Sequence, residues 1–111
     1  MKVLFVNSER IGEGDDVLGG KLMASFFYSL VRAGTKPDVV VFMNGGVKLA
    51  CKGSAALDDI RLLATDGVQV LSCGTCLDFY RLKDSLAIGE VGNMNDTVSL
   101  MMHADDVVSI G

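Results

Sequence analysis

The chain has 111 residues, 50% of them hydrophobic and 22% charged, so it is expected to form one ordered domain over residues 1–111 around a single core. A formal net charge of −4 and the lack of any Lys/Arg cluster exclude a dedicated nucleic-acid binder, because phosphate backbones are held mainly by clustered cations. The longest apolar runs, such as Val39-Val40-Val41-Phe42-Met43, are far too short to span a membrane, and the N-terminus reads as a strand, without the pattern of a secretory signal, so a cytoplasmic location is expected.

Lys2 to Val6 is β-like, and a polar segment with two glycines follows from Asn7 to Asp16. Val17, Leu18, Leu22, Phe26 and Leu30 then recur near helical spacing, with Gly34 placed as a C-cap. Pro37-Asp38 leads into Val39 to Met43, the β-branched run expected of a parallel strand buried on both faces, which Asn44-Gly45-Gly46 ends. Ser54 suits the N-cap of a helix over Ala55 to Thr65, and Asp66-Gly67 turns the chain into a strand from Val68 to Leu71. Leu77 to Leu82 is helix-compatible. Ala87-Ile88-Gly89 reads as a fourth strand or an extended link, Asn93 as the cap of a helix reaching about Ala104, and Val107 to Ile110 as a final strand. Strands alternating with helices make an α/β domain with a mostly parallel sheet, since parallel neighbours require crossover helices.

Three cysteines in a reducing compartment predict no disulfide framework, so each stands for chemistry, metal or burial. Cys73-Gly74-Thr75-Cys76 lies where the strand gives way to the helix-compatible stretch. Cys73 is thereby placed at the carboxyl end of a strand and in the first turn of a helix, where free N–H groups and the helix dipole favour a thiolate. The carboxyl edge of an open α/β sheet gathers its loops, and those from Asn7 to Asp16 and Asn44 to Ser54 are expected to bring Arg10, Lys48, Cys51 and Lys52 towards Cys73 and lower its pKa. Cys73 is the candidate nucleophile. Cys76, one helical turn on, is placed to attack a sulfur carried by Cys73 and close a disulfide. The competing reading makes both cysteines core residues.

Other chemistries fit less well. A thioredoxin-like CxxC belongs near an early βαβ unit, whereas this one follows three strands and the sole proline, Pro37, comes too early to face it. Structural zinc normally takes four ligands, and the chain offers one CxxC, Cys51 and His103. Gly12-Glu13-Gly14 and Gly45-Gly46 match neither GxGxxG nor a Walker motif, and Glu13, Asp15 and Asp16 suit the first turn of a helix better than they suit a phosphate. His103 fits the C-terminal end of the last helix, and Met94, Met101 and Met102 read as core filler or subunit contact.

The block Val70-Leu71-Ser72-Cys73-Gly74-Thr75-Cys76-Leu77-Asp78-Phe79-Tyr80, followed by Leu82-Lys83 and by Gly89-Glu90-Val91-Gly92-Asn93-Met94, resembles the C-terminal domain of the YedF-type selenium-metabolism proteins, in the DsrE/DsrF-like superfamily. Gly12, Gly14-Asp15-Asp16, Leu18-Gly19, Asn44-Gly45-Gly46-Val47-Lys48-Leu49 and Cys51 fit the same pattern. The resemblance implies a flavodoxin-like three-layer α/β/α sandwich with a mostly parallel five-stranded sheet, assembled as a dimer, trimer or hexamer. It also implies a sulfur relay in which a cysteine at the end of the corresponding strand, here Cys73, accepts persulfide sulfur from a small TusA-like carrier. Full-length members resemble a fusion of such a carrier to this domain. This sequence has no Cys-Pro-x-Pro motif, so the carrier is expected to be a separate protein, or the chain a stand-alone homologue.

The combined expectation is a sulfurtransferase-like carrier of sulfur or selenium. Cys73 is the acceptor, Cys76 a resolving or tuning thiol, and Arg10, Lys48 and Cys51 the support, with no diffusible cofactor and no metal. The alternative is an oligomeric module that binds a small anion or nucleotide and uses its cysteines structurally.

Overall fold

The computed structural model describes residues 1–111. Strands β1 (Lys2–Val6), β2 (Val39–Phe42), β3 (Gln69–Cys73), β4 (Glu90–Gly92) and β5 (Asp106–Ile110) form one sheet in the order β4-β3-β2-β1-β5, and every neighbouring pair is parallel. Four helices connect them: α1 (Asp16–Arg32), α2 (Leu57–Thr65), α3 (Gly74–Phe79) and α4 (Met94–His103).

The strand order dictates the layers. From β1 to β4 each connection steps one place in the same direction, so right-handed crossovers put α1, α2 and α3 on one face. The return from β4 to β5 runs the opposite way across the sheet and puts α4 on the other face. Side-chain alternation along each strand then splits the core. Leu4, Val6, Val40, Phe42 and Val70 pack with Met23 and Phe27 of α1, Ile60 and Leu63 of α2 and Leu77 of α3. Val3, Val39, Val41 and Leu71 pack with Leu100, Met101 and Ala104 around α4. The result is a three-layer α/β/α sandwich with a fully parallel five-stranded sheet. No helix is long and apolar enough to cross a membrane.

Both longer helix starts are capped, α4 by the expected Asn93 and α1 by Asp15, which the sequence offered only as a first-turn acid. Asp15 accepts from the Leu18 N–H at 2.9 Å and Asn93 from the Asp96 N–H at 2.9 Å. At the end of α4, His103 Nδ1 lies 2.8 Å from the Ser99 carbonyl.

Four elements differ from the sequence expectation. The strand β3 continues through Ser72 and Cys73, because Ser72 is paired on both sides, with Phe42 and with Val91, and Cys73 faces Gly92. The fourth strand is Glu90–Gly92 and not Ala87–Gly89. Gly89 turns the chain at φ +84°, where its α-carbon passes so near β3 that a Cβ would meet the Val70 carbonyl oxygen at 2.5 Å. The helix α2 starts at Leu57 with Ala56 as its cap, because the Ser54 hydroxyl is used one turn earlier, accepting from the Ala56 N–H at 3.1 Å. Ala33, rather than Gly34, caps α1, with its N–H donating to the Leu30 carbonyl.

The segment after β2 is also more ordered than a loop. Asn44–Ala50 forms a 3-10 helix with Gly46, Val47, Leu49 and Ala50 buried. It lies directly on the carboxyl end of β1: a Cβ on Gly46 would sit 2.3 Å from the Val6 carbonyl oxygen. That clash is with backbone, so no rotamer relieves it, and Gly46→Ala must push the segment outward. The expected loss is about 1–3 kcal/mol, read as a lower urea midpoint with an unchanged slope. Gly45→Ala, whose added Cβ would meet nothing nearer than Glu9 N at 3.7 Å, is the control and is expected to stay near wild type.

Candidate functional site

Cys73 is the last residue of β3 and the N-cap of α3, with φ −60° and ψ 122°. Gly74 makes the turn tight, since a Cβ there would lie 3.0 Å from the Val91 side chain and 3.3 Å from the Gly92 carbonyl oxygen of β4. At this edge the connections diverge: β3 leads to α3 on one face and β4 to α4 on the other. Such a reversal opens the crevice in which α/β sheets place ligands and chemistry.

Cys73 is 7% exposed and belongs to the larger core cluster, whereas Cys76 is only partly buried. The two thiols are neighbours, Cys73 capping the short helix that carries Cys76 three residues on. The Cys76 Sγ also accepts the backbone N–H of Asn44 at 3.1 Å. Asn44 adopts φ +51°, a left-handed conformation that asparagine tolerates better than most residues. Its side-chain oxygen accepts from the Tyr80 hydroxyl at 2.6 Å, and the Lys48 ammonium sits 4.7 Å from the centre of the Tyr80 ring. Asn44, Thr75, Cys76, Phe79 and Tyr80 line a surface depression of about 260 Å³. Phe79, at its rim, is 79% exposed.

Burial pushes the Cys76 thiol above its ordinary pKa, the neighbouring Cys73 thiol adds to the rise, and the Asn44 N–H opposes it by favouring the thiolate. Beside the pair, the buried Ser72 hydroxyl makes no hydrogen bond to another protein group.

The expected support is arranged differently. Arg10 lies 3.4 Å from Asp16 and 3.5 Å from Glu9, and Lys48 lies 3.6 Å from Glu9. Acids of the same edge take up both cations, so the electrostatics of the Cys76 thiol are set by burial, Cys73 and the Asn44 N–H. Cys51 is buried in the core, where its thiol donates to the Val47 carbonyl at 3.2 Å and burial pushes its pKa up. It packs and does not join the pair. Lys52 lines a separate depression of about 430 Å³ with Glu9, Lys48, Cys51 and Tyr80, and Glu9 brings a carboxylate to the place a small anion would occupy. His103 ends α4 at the opposite, amino edge of the sheet, and nowhere do three His, Cys, Asp or Glu side chains gather in an arrangement able to hold a metal ion.

Asn44 and Tyr80 are the site residues that sequence reasoning missed. A faint signal existed for each: asparagine before two glycines at a strand end permits a left-handed turn, and Tyr80 stands four residues after Cys76, on the same side of the helical turn.

Residues 1–110 match the DsrE profile, described as the DsrE/DsrF-like family. The chain belongs to the DsrE/DsrF-like family. Solved structures agree on the fold. The ychN protein from E. coli superposes with a TM-score of 0.74 at 17% identity, covering 98% of this chain and 97% of that one. MTH1491 from Methanobacterium thermoautotrophicum, a protein of unknown function, gives 0.70 at 18% identity over 97% and 96%. BT1422 from Bacteroides thetaiotaomicron, also of unknown function, gives 0.67 at 14% over 98% and 94%. A comparison with curated proteins finds no match.

In this DsrE-like chain the order of thiol exposure predicts the order of alkylation. Native protein treated with iodoacetamide is expected to react first at Cys76, with Cys73 and Cys51 far slower until urea exposes all three. The Cys76 rate should still be climbing at a pH where an unperturbed cysteine, with a pKa of about 8.5, has levelled off. Cys51 reacting as fast as Cys76 would contradict the burial pattern.

Proposed function

We propose that the protein is a sulfurtransferase-like thiol carrier that holds sulfur, or selenium, on Cys73 with Cys76 as the resolving thiol. The observation that carries this reading is the juxtaposition of a buried thiol and a partly exposed one at the carboxyl end of β3. Membership of the DsrE/DsrF-like family, often linked to sulfur relay, and the YedF-like block Cys73-Gly74-Thr75-Cys76-Leu77-Asp78-Phe79-Tyr80 support it.

Thiol chemistry alone accounts for the cycle, with no diffusible cofactor. A donor persulfide, R–S–SH, gives up its outer sulfur: a sulfur–sulfur bond forms to the protein, the donor's own sulfur–sulfur bond breaks, and the donor leaves as a thiolate that takes the proton lost by the protein thiol. Burial of Cys73 shields the bound sulfur from free thiols in solution. Attack of Cys76 on the inner sulfur of the Cys73 persulfide expels hydrosulfide and leaves a Cys73–Cys76 disulfide. A separate TusA-like protein is the donor this reading favours. Reduced thiols of this kind suit the cytoplasm.

Assembly into a dimer, trimer or hexamer belongs to the same proposal. The α4 face covers its side of the sheet incompletely and leaves Met94, Val98, Met102 and Val107 exposed, an apolar area of the kind subunits bury. Light scattering over a dilution series reads the assembly, and a monomer at every concentration removes it.

To test the carrier, load the protein exhaustively with glutathione persulfide, chase with reduced glutathione and follow intact mass. Wild type is expected to keep one added sulfur through the early chase and then convert to the disulfide. Cys73→Ser should lose its added sulfur at once, and loaded Cys76→Ser should keep it longest. Equal survival in wild type and Cys73→Ser would overturn the assignment.

A further inference from the structure

We propose that sulfur is first accepted by Cys76 and then passed inward to Cys73, with Asn44, held by Tyr80, as the residue that positions Cys76 for uptake. This deepens the carrier reading and rests on it. A donor must bring its outer sulfur into line with the attacking sulfur, and Cys76 is the thiol that lines the surface depression with Asn44, Thr75, Phe79 and Tyr80. Cys73, 7% exposed and packed in the core, is its neighbour, the cap of the same helix three residues before it. A sulfur arriving on Cys76 is therefore delivered next to Cys73.

The donor to Cys76 is a backbone N–H, fixed by the fold. The Asn44 N–H points at Cys76 Sγ at 3.1 Å because the residue is held at φ +51°. Tyr80 reinforces that conformation through its 2.6 Å hydrogen bond to the Asn44 side-chain oxygen. A hydrogen bond to sulfur strengthens when the sulfur carries charge, and in both transfers Cys76 does so, first as attacking thiolate and then as leaving thiolate.

The steps balance as two sulfane transfers. In the first, the Cys76 thiolate attacks the outer sulfur of R–S–SH. A Cys76 sulfur–sulfur bond forms, the donor's sulfur–sulfur bond breaks, the outer sulfur keeps its hydrogen, and the departing thiolate takes the proton that Cys76 released. In the second, the Cys73 thiolate attacks the same outer sulfur. Its bond to Cys73 forms as its bond to Cys76 breaks, and the proton from Cys73 passes to Cys76. The number of sulfur–sulfur bonds is constant throughout, so neither step calls for an oxidant or reductant.

Rapid-quench loading with glutathione persulfide, followed by alkylation and peptide mapping, separates the two cysteines in time. Cys73→Ser is expected to show a prompt persulfide on Cys76 that goes no further. Cys76→Ser is expected to load Cys73 at least about tenfold more slowly than wild type. Tyr80→Phe should slow uptake about fivefold, the loss of one hydrogen bond, and should move the pH profile of Cys76 alkylation upward, because a weakened Asn44 N–H contact favours the thiolate less. Loading of Cys76→Ser at the wild-type rate, or no persulfide on Cys76 in Cys73→Ser, would overturn the order of transfer while leaving a wild-type carrier intact. An unmoved rate and pH profile in Tyr80→Phe would overturn the positioning role. Wild type that never takes up sulfur would overturn the carrier reading itself.

Discussion

Gly46 lays its backbone against the carbonyl of Val6 at a separation that no side chain permits, and this contact ties the segment after β2 to the carboxyl edge of the sheet. Asn44, two residues earlier, is thereby held over the start of α3 with its N–H on the Cys76 sulfur. The thiol pair is built from the other side by the register of β3, which pairs Cys73 with Gly92 and ends the strand there. Two close backbone approaches, Gly46 on β1 and Gly74 on β4, therefore fix the geometry of a site whose reactive atoms belong to neither.

The electrostatics follow from burial more than from charge. Two of the cations at this edge are paired, since Glu9 and Asp16 hold Arg10 and Glu9 also holds Lys48. What remains at the Cys76 thiol is desolvation and a neighbouring thiol, both disfavouring the thiolate, against one backbone N–H that favours it. A thiol of raised pKa is ionised less often but is the stronger nucleophile when ionised.

Most of the fold was legible in the sequence because its signals are local. The apolar runs of β1 and β2, the helical spacing of α1, the cap at Asn93 and the alternation of strand and helix all depend on neighbours within a few residues, although the face α1 buries is Gly19, Met23 and Phe27 while Val17, Leu18 and Leu22 are exposed. The pairing of Cys73 with Cys76 was legible for the same reason, three residues being one helical turn. What escaped depends on distant contacts. The fourth strand is short and mostly exposed, so composition does not mark it. Asn44 and Tyr80 meet across 36 positions, and Arg10 and Lys48, which loop placement aimed at Cys73, are claimed by acids whose positions only the folded chain reveals.

The central claim is that the Cys73–Cys76 pair carries sulfur or selenium, and its most direct test is the state of the protein in the cell. Protein taken rapidly from its native host, alkylated without reduction and analysed by peptide mass spectrometry, is expected to show a fraction carrying one extra sulfur or selenium atom on the peptide that holds Cys73 and Cys76, with none on Cys51. Finding only free thiols on that peptide under sulfur-replete growth, in protein whose Cys51 is equally unmodified, would contradict the account.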